Sequence, residues 1–439
     1  MAAVFPDWVL LDRFAFRRDA NTSLPEKGYR PLRAQGTTSQ GVDFGVALCL
    51  ADPPGASRLY VLFPSGTDPA IACDLVAAHG NHLLFMITDL AKPGESSGAL
   101  MCHQDLFVCR VASPDQPPLL RRLPACTDLL IRFMVGGGEM TMQHLFVPQG
   151  VGFLCRDEQV LAVAQLDQII PISDSGMWEA GLLVLITDGR GDGAKWEDKR
   201  LPILHPDHEK LDISLWSDDT VISFKNYICW VDYCMGAILL FFDVFEERPK
   251  VSYLDLPNQG RHPPGDRGYL RMYRGVSVTD EGRQLKFVHV DRDDGKLFGP
   301  SDSGYTITSH TLKITENGGM QWVMDAFMRS DQVLPSLRTD YDFNILKLPL
   351  VSMEEAHVVH FLYSDSERTN GGYDKVSVVT VDLNAKTLLS THPYMRREDC
   401  FGEDADTYEV KCCNLNSFLA VKFSMSVSRK RKILDDDSY

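Results

Sequence analysis

The chain has 439 residues, of which 44% are hydrophobic and 24% charged, a balance that supports a large buried core without disulfide staples. Its formal net charge is −16, so its average field repels phosphate backbones and anionic lipid surfaces, and neither nucleic acid nor membrane is an expected partner. Eleven cysteines, an odd number at irregular spacings, sit mostly inside apolar runs as small hydrophobes and point to a reducing compartment.

The N-terminus, MAAVFPDWVLLDRF, lacks the basic start and long apolar core of a signal peptide. The longest candidate span, 237–242, is too short to cross a bilayer. An intracellular location, cytoplasmic or nuclear, is the expectation. Residues 8–11 read as a strand, and 21–40 as a loop without periodicity.

From Val42 onward the chain is a succession of short apolar runs. VDFGVALCL and RLYVLF are divided by the turn cluster ADPPGAS. IACDLVAA is ambiguous between helix and strand. NHLLFMIT, DLFVCRVA, LLRRL, LIRFMV, MQHLFVP, GVGFLC, QVLAVAQL, GLLVLIT and WEDKRLPIL follow as predicted strands.

The stretch Asp218–Pro257 has the clearest pattern: VISF, YICWVD, AILLFFDVF and VSYLDL, joined by links of a few residues. Links that short demand antiparallel neighbours. Middle strands apolar on both faces predict burial between stacked sheets. MYRGVSVT, QLKFVHVDR, YTITSHTLKI and MQWVMDAFM make a similar group, and FNILKLPLV, HVVHFLYS, KVSVVTVDL and KTLLSTHPY another. One or two more strands are expected within 408–427.

Strands in groups of four predict an all-β, degenerate β-propeller-like fold of about six or seven four-stranded blades. The first and last strands would complete one blade together. Leu123-Pro124, Leu201-Pro202, Leu256-Pro257 and His392-Pro393 read as strand exits, spaced by rough multiples of about 45 residues, the usual propeller unit. Two packed β-sandwich domains are the alternative. Residues 1–428 are assigned to one domain and 429–439 to a charged tail.

Local motifs carry little chemistry. Gly94–Gly98 fits G-x-S-x-G but lacks the strand-to-helix context of a nucleophile elbow. The glycine-rich segments 136–139 and 189–193 lack the pattern of a phosphate cradle. Asp291, Asp293, Asp294 and Gly295 resemble a calcium loop with the glycine one place early and no closing Glu. His205, Asp207 and His208 have no companion C-x-x-C pair, and Cys412 and Cys413 are adjacent. No catalytic residue, cofactor site or metal site is therefore assigned. Arg429, Lys430, Arg431 and Lys432 form the single basic cluster, read equally as an import signal or a solvated tail. Trp230 is expected to pack between blades, and Asp232 and Asp243 to fix tight turns.

The run ICWVDYCMGAILLFFDVFEERPKVSYLDLP is similar to the signature of a plant family, expanded in grasses, known as domain of unknown function 1618. The matching positions are Trp230, Val231, Asp232, Gly236, Asp243, Pro249, Leu256 and Pro257, and the domain would cover about 230–363. FPDWVLLDRFAFR also looks like the opening of such proteins. Met235 stands where a basic residue is common. The resemblance implies no reaction or ligand. Some relatives carry an upstream F-box, which this chain does not show. The expected function is a non-enzymatic scaffold that presents loops to a protein partner. The alternative is an enzyme or small-ligand binder whose site assembles from distant loops around a central channel.

Overall fold

A computed structural model of the chain describes residues 6–24, 29–67, 71–90, 102–111, 117–126, 130–135, 138–172, 176–188, 194–205, 211–257, 261–280, 282–297, 304–315, 319–333, 345–364, 375–396 and 418–423. The fold is all-β and propeller-like, and among the described residues the strands form six blades around a central channel.

Blade 1 holds β1 (Trp8–Asp19), β2 (Leu32–Thr37), β3 (Asp43–Cys49) and β4 (Ala56–Phe63). Blade 2 holds β5 (Ile71–His79), β6 (His82–Leu90), β7 (Cys102–Arg110) and β8 (Leu119–Arg122). A separate hairpin, β9 (Leu130–Val135) and β10 (Gly138–Gln143), intervenes. Blade 3 is β11 (Val151–Cys155), β12 (Val160–Pro171), β13 (Trp178–Asp188) and β14 (Trp196–Leu204). Blade 4 is β15 (Thr220–Phe224), β16 (Tyr227–Asp232), β17 (Ala237–Phe242) and β18 (Lys250–Asp255).

A short helix, α1 (Arg267–Tyr273), leads into blade 5: β19 (Arg274–Thr279), β20 (Gln284–Arg292), β21 (Tyr305–Ile314) and β22 (Met320–Arg329). Blade 6 is β23 (Lys347–Val351), β24 (Val358–Ser364), β25 (Lys375–Asp382) and β26 (Thr387–Arg396). The last described strand, β27 (Leu419–Lys422), returns to blade 1 and pairs antiparallel with β1, Leu11 opposite Leu419 and Trp8 opposite Lys422. The two ends of the chain thus close one blade, as the sequence predicts.

Apolar packing between neighbouring blades explains the ring. In blade 4, Ile228, Trp230, Leu239 and Phe241 pack with Leu154, Ala164 and Leu182 of blade 3. The alternate residues Cys229, Val231, Ile238 and Leu240 pack with Leu285 and Phe287 of blade 5. A strand with period-2 side chains that faces a neighbour on each side must be apolar throughout. Each remaining pair of adjacent blades shares such a cluster, including blade 6 with Trp8 and Leu10 of blade 1. The innermost strands come close enough to need glycine. A Cβ on Gly275 would lie 2.1 Å from the Pro349 carbonyl oxygen, and one on Gly152 2.2 Å from Ile228 Cγ2.

Several expectations need correction. Residues 32–37 form β2, whose alternation of exposed and half-buried side chains leaves no apolar run to detect. IACDLVAA is the strand β5, and the start of MYRGVSVT belongs to α1. Pro202 lies inside β14 opposite Glu179, and Pro393 inside β26 next to a register shift; neither is an exit. Both strands lie at the outer side of their blades, where a missing N–H is tolerated. Inner strands begin at Ile71, Val151, Thr220, Arg274 and Lys347, so the blades are longer and less even than the 45-residue unit. Among the described residues, no helix is long and apolar enough to cross a membrane.

Candidate functional site at the central channel

The innermost strands β5, β11, β15, β19, β23 and β27 surround a cavity of about 870 Å³. Sites for small ligands commonly have ~300–1,000 Å³. Five basic side chains (Arg13, Lys225, Arg271, Arg274 and Lys422) and two acidic ones (Asp74 and Asp219) line it. A net cationic wall is thus set inside a chain of net charge −16.

Most of this charge gathers where the inner strands begin. Arg13 comes from the irregular part of β1, where pairing with β4 shifts between Leu11 and Ala15. Its side chain crosses the channel to the opposite blade, where Nη2 donates to Thr220 Oγ1 at 3.1 Å. Its Nε has no hydrogen-bond partner among the described residues. Burial pulls the guanidinium down to about 10, with Tyr233 partly opposing and Arg271 reinforcing the shift. Arg274 Nη2 lies 3.1 Å from His262 Nε2, its Nε is also unpartnered among the described residues, and burial pulls it down to about 10.

Asp219 is the main counter-charge. Its Oδ2 accepts from Tyr233 N at 2.7 Å and from Arg267 Nη1 at 2.9 Å. Arg271 Nε stands 3.9 Å from its Oδ1. Burial pushes Asp219 up to about 6, Arg267 pulls the other way, and Asp232 adds to the rise. Asp218 beside it is pushed up to about 7, also mainly by burial. Asp74 shifts upward through burial as well. Burying three carboxylates near a few cations favours proton uptake.

Three other polar groups of the wall, Ser223, Ser277 and His79, are engaged. Ser223 Oγ donates to the Phe153 carbonyl, Val351 N donates to Ser277 Oγ at 3.2 Å, and Cys155 N donates to His79 Nδ1 at 3.2 Å. Burial, reinforced by the neighbouring His82, pulls the His79 pKa down to about 4 and keeps the imidazole neutral. No hydroxyl–imidazole pair among these groups is arranged for nucleophilic attack.

The signature residues singled out from the sequence are not part of the cavity lining. Trp230 is fully buried, and its Nε1 donates to the Gly150 carbonyl of the neighbouring blade at 2.8 Å. Asp232 closes the β16–β17 turn: Oδ1 accepts from Cys234 N at 2.8 Å and Met235 N at 2.9 Å, and Oδ2 from Ser217 N at 2.7 Å. Arg267 grips both Asp232 oxygens at 3.1 Å. Asp243 serves its turn through the backbone, with φ of 54° and a carbonyl that accepts from Glu246 N at 2.9 Å. Gly236 has φ of 66°, its carbonyl accepts from Leu256 N at 2.7 Å, and Val231 in β16 and Leu256 just ahead of Pro257 are both buried.

Asp294 is bound by Arg292 at 2.7 Å and by Lys296 N at 3.0 Å, as in an ordinary hairpin loop. The described residues contain no group of three or more metal-ligating side chains. Gly94–Gly98, Gly189–Gly193, Asp207, His208, Cys412, Cys413, Arg429–Lys432 and the 429–439 tail lie outside the described residues. Arg13, Asp219, Thr220, Arg271 and Arg274 carry no sequence motif, and only their convergence in space marks them.

Residues 230–360 match the model of a family described as protein of unknown function (DUF1618). No curated protein matches the chain. Among solved structures it is similar to the periplasmic gluconolactonase PpgL of Pseudomonas aeruginosa, at 10% identity and a TM-score of 0.29, over 83% of this chain and 98% of that one. A functionally unknown protein from Desulfotomaculum acetoxidans gives 9% identity and a TM-score of 0.30 over 86% and 90%. An α-L-arabinanase of Penicillium chrysogenum gives 11% and 0.24 over 89% and 88%.

Proposed function

Since this chain belongs to the DUF1618 family, whose description carries no activity, we propose from its geometry that it is a receptor for a small molecule held in the central channel. The supporting observation is the 870 Å³ cavity into which arginines from blade 1, α1 and blade 5 converge. The occupied hydroxyls and the neutral His79 support binding over catalysis. A thermal-shift screen of the full chain against a chemically mixed library tests this, with native mass spectrometry on the hits. At least one compound class should raise the midpoint and bind with one-to-one stoichiometry. A screen without any stoichiometric binder would remove the proposal.

A loop-presenting scaffold for a protein partner keeps one observation in its favour. On β22, the outer strand of blade 5, Val323, Met324 and Phe327 are 42%, 51% and 45% exposed. Exposed apolar side chains in one place mark contact surfaces. A co-purifying protein whose recovery is unaffected by Phe327→Glu would refute docking at this strand. An intracellular site belongs to the same proposal and is supported by the free thiols of Cys73, Cys109, Cys155, Cys229 and Cys234 among the described residues.

A further inference from the structure

We infer that the ligand of this channel is an amphipathic organic anion, its anionic head held between Arg13 and Arg271 and its apolar body lying along the inner strands. The inference rests on the receptor reading above and names the ligand class.

Three cations, Arg13, Arg271 and Arg274, face the cavity at one end. The counter-charges there do not match them. Asp219 spends its Oδ2 on Arg267 and the Tyr233 amide and leaves Arg271 a long approach of 3.9 Å to Oδ1, Arg274 Nη1 donates to the Tyr233 carbonyl, and Asp74 is drawn toward its neutral form by burial. Arg13 donates to Thr220, while its buried Nε points to no acceptor among the described residues. A desolvated guanidinium without an anion is costly, and a bound oxyanion supplies the missing acceptors in a fork that matches it.

Arg13 also reaches from blade 1 across to blade 4, so an anion on its free edge would sit on the channel axis. The lining also includes apolar residues, Val221, Val276, Leu350, Leu419 and Val421, from four different blades. Of the two remaining cations, Lys225 lies over the Phe224 ring, 5.2 Å from its centroid, and Lys422 also has a partner of its own. One charged end and an apolar shaft fit a molecule with one anionic group and a hydrocarbon or aromatic body.

The test is isothermal titration of the full chain with three probes. Octanoate has head and body, octanol has the body alone, and inorganic phosphate has the charge alone. Octanoate should bind one-to-one, at least about tenfold tighter than either of the others, because a charge-assisted contact is added to a buried body. Arg13→Met should weaken octanoate at least about tenfold and leave octanol unchanged. Arg271→Met is the second variant, should the first not fold, with the same direction expected.

Octanol binding as tightly as octanoate overturns the anion while leaving a receptor for neutral ligands. Phosphate binding as tightly overturns the apolar body. Octanoate affinity unchanged in both variants overturns the placement of the head. Failure of all three probes, with a hit from the mixed library, overturns the ligand class but not the receptor; failure of probes and library together overturns both.

Discussion

Replacing Arg13 with methionine should make the protein more stable. The guanidinium is enclosed by protein and donates to Thr220 Oγ1, and its Nε lacks a partner among the described residues. Its fall from the ordinary arginine range to about 10 corresponds to a folded-state penalty on the charge on the order of 3 kcal/mol. A folded-state pKa lowered below the unfolded value, for a base, is a cost present at every pH below about 10, so it applies in full at neutrality. Methionine removes that cost and keeps most of the apolar stem. The lost hydrogen bond to Thr220 returns about 1 kcal/mol, leaving a net gain of about 2 kcal/mol. With an unfolding entropy of about 2.1 cal/mol/K per residue, this raises the midpoint by roughly 2 °C. Scanning calorimetry of both proteins at pH 7 without added ligand is the assay. A midpoint lowered by as much would refute the reasoning, since Arg13 would then be a structural cation with an adequate partner. A stabilised variant that loses octanoate affinity is the signature of a residue kept for binding at the expense of stability.

Trp230→Phe keeps an aromatic ring but leaves the Gly150 carbonyl without its donor, and should cost about 1–3 kcal/mol by urea unfolding. Gly275→Ala places a methyl 2.1 Å from the Pro349 carbonyl and should cost about 1–3 kcal/mol, whereas Gly268→Ala in α1 meets nothing within 4 Å and should gain up to about 1 kcal/mol. Similar midpoints for these two glycine variants would contradict the close approach of β19 to β23. Asp218 and Asp219, pushed up to about 7 and 6, bind protons in the folded state before they do in the unfolded chain. Their contribution to stability therefore rises as pH falls from about 8 toward 5, with Arg267, Arg271 and Asp232 facing them. The wild-type midpoint should climb relative to the Asp218→Asn/Asp219→Asn variant over that range; a relative fall would reverse the assignment.

Blade 4 was the most legible part of the fold because each of its middle strands packs against a blade on both sides. Continuous apolar runs such as YICWVD and AILLFF follow from that placement. Ring closure was legible too, because the first strand lacked neighbours of its own in sequence. β2 was not, since an outer strand with one half-buried face needs no apolar run. The prolines at 202 and 393 misled for the same reason: outer strands tolerate them, so they do not mark exits. The site was illegible for a different cause. Arg13 and Thr220 meet across 207 positions, and no local spacing records a contact made through a closed ring.

The family signature and the channel are nevertheless linked physically. Asp232 fixes the β16–β17 turn through three backbone amides and with the same carboxylate holds Arg267. Arg267 is the first residue of α1, and it also binds Asp219 and the Ser217 carbonyl at 2.7 Å. One turn further along α1, Arg271 faces the cavity. The most distinctive aspartate of the sequence thus stays off the ligand's path while it sets the helix that carries a cation into it. Recognition of the signature locates the frame, and the residues proposed to meet the ligand are those the frame positions.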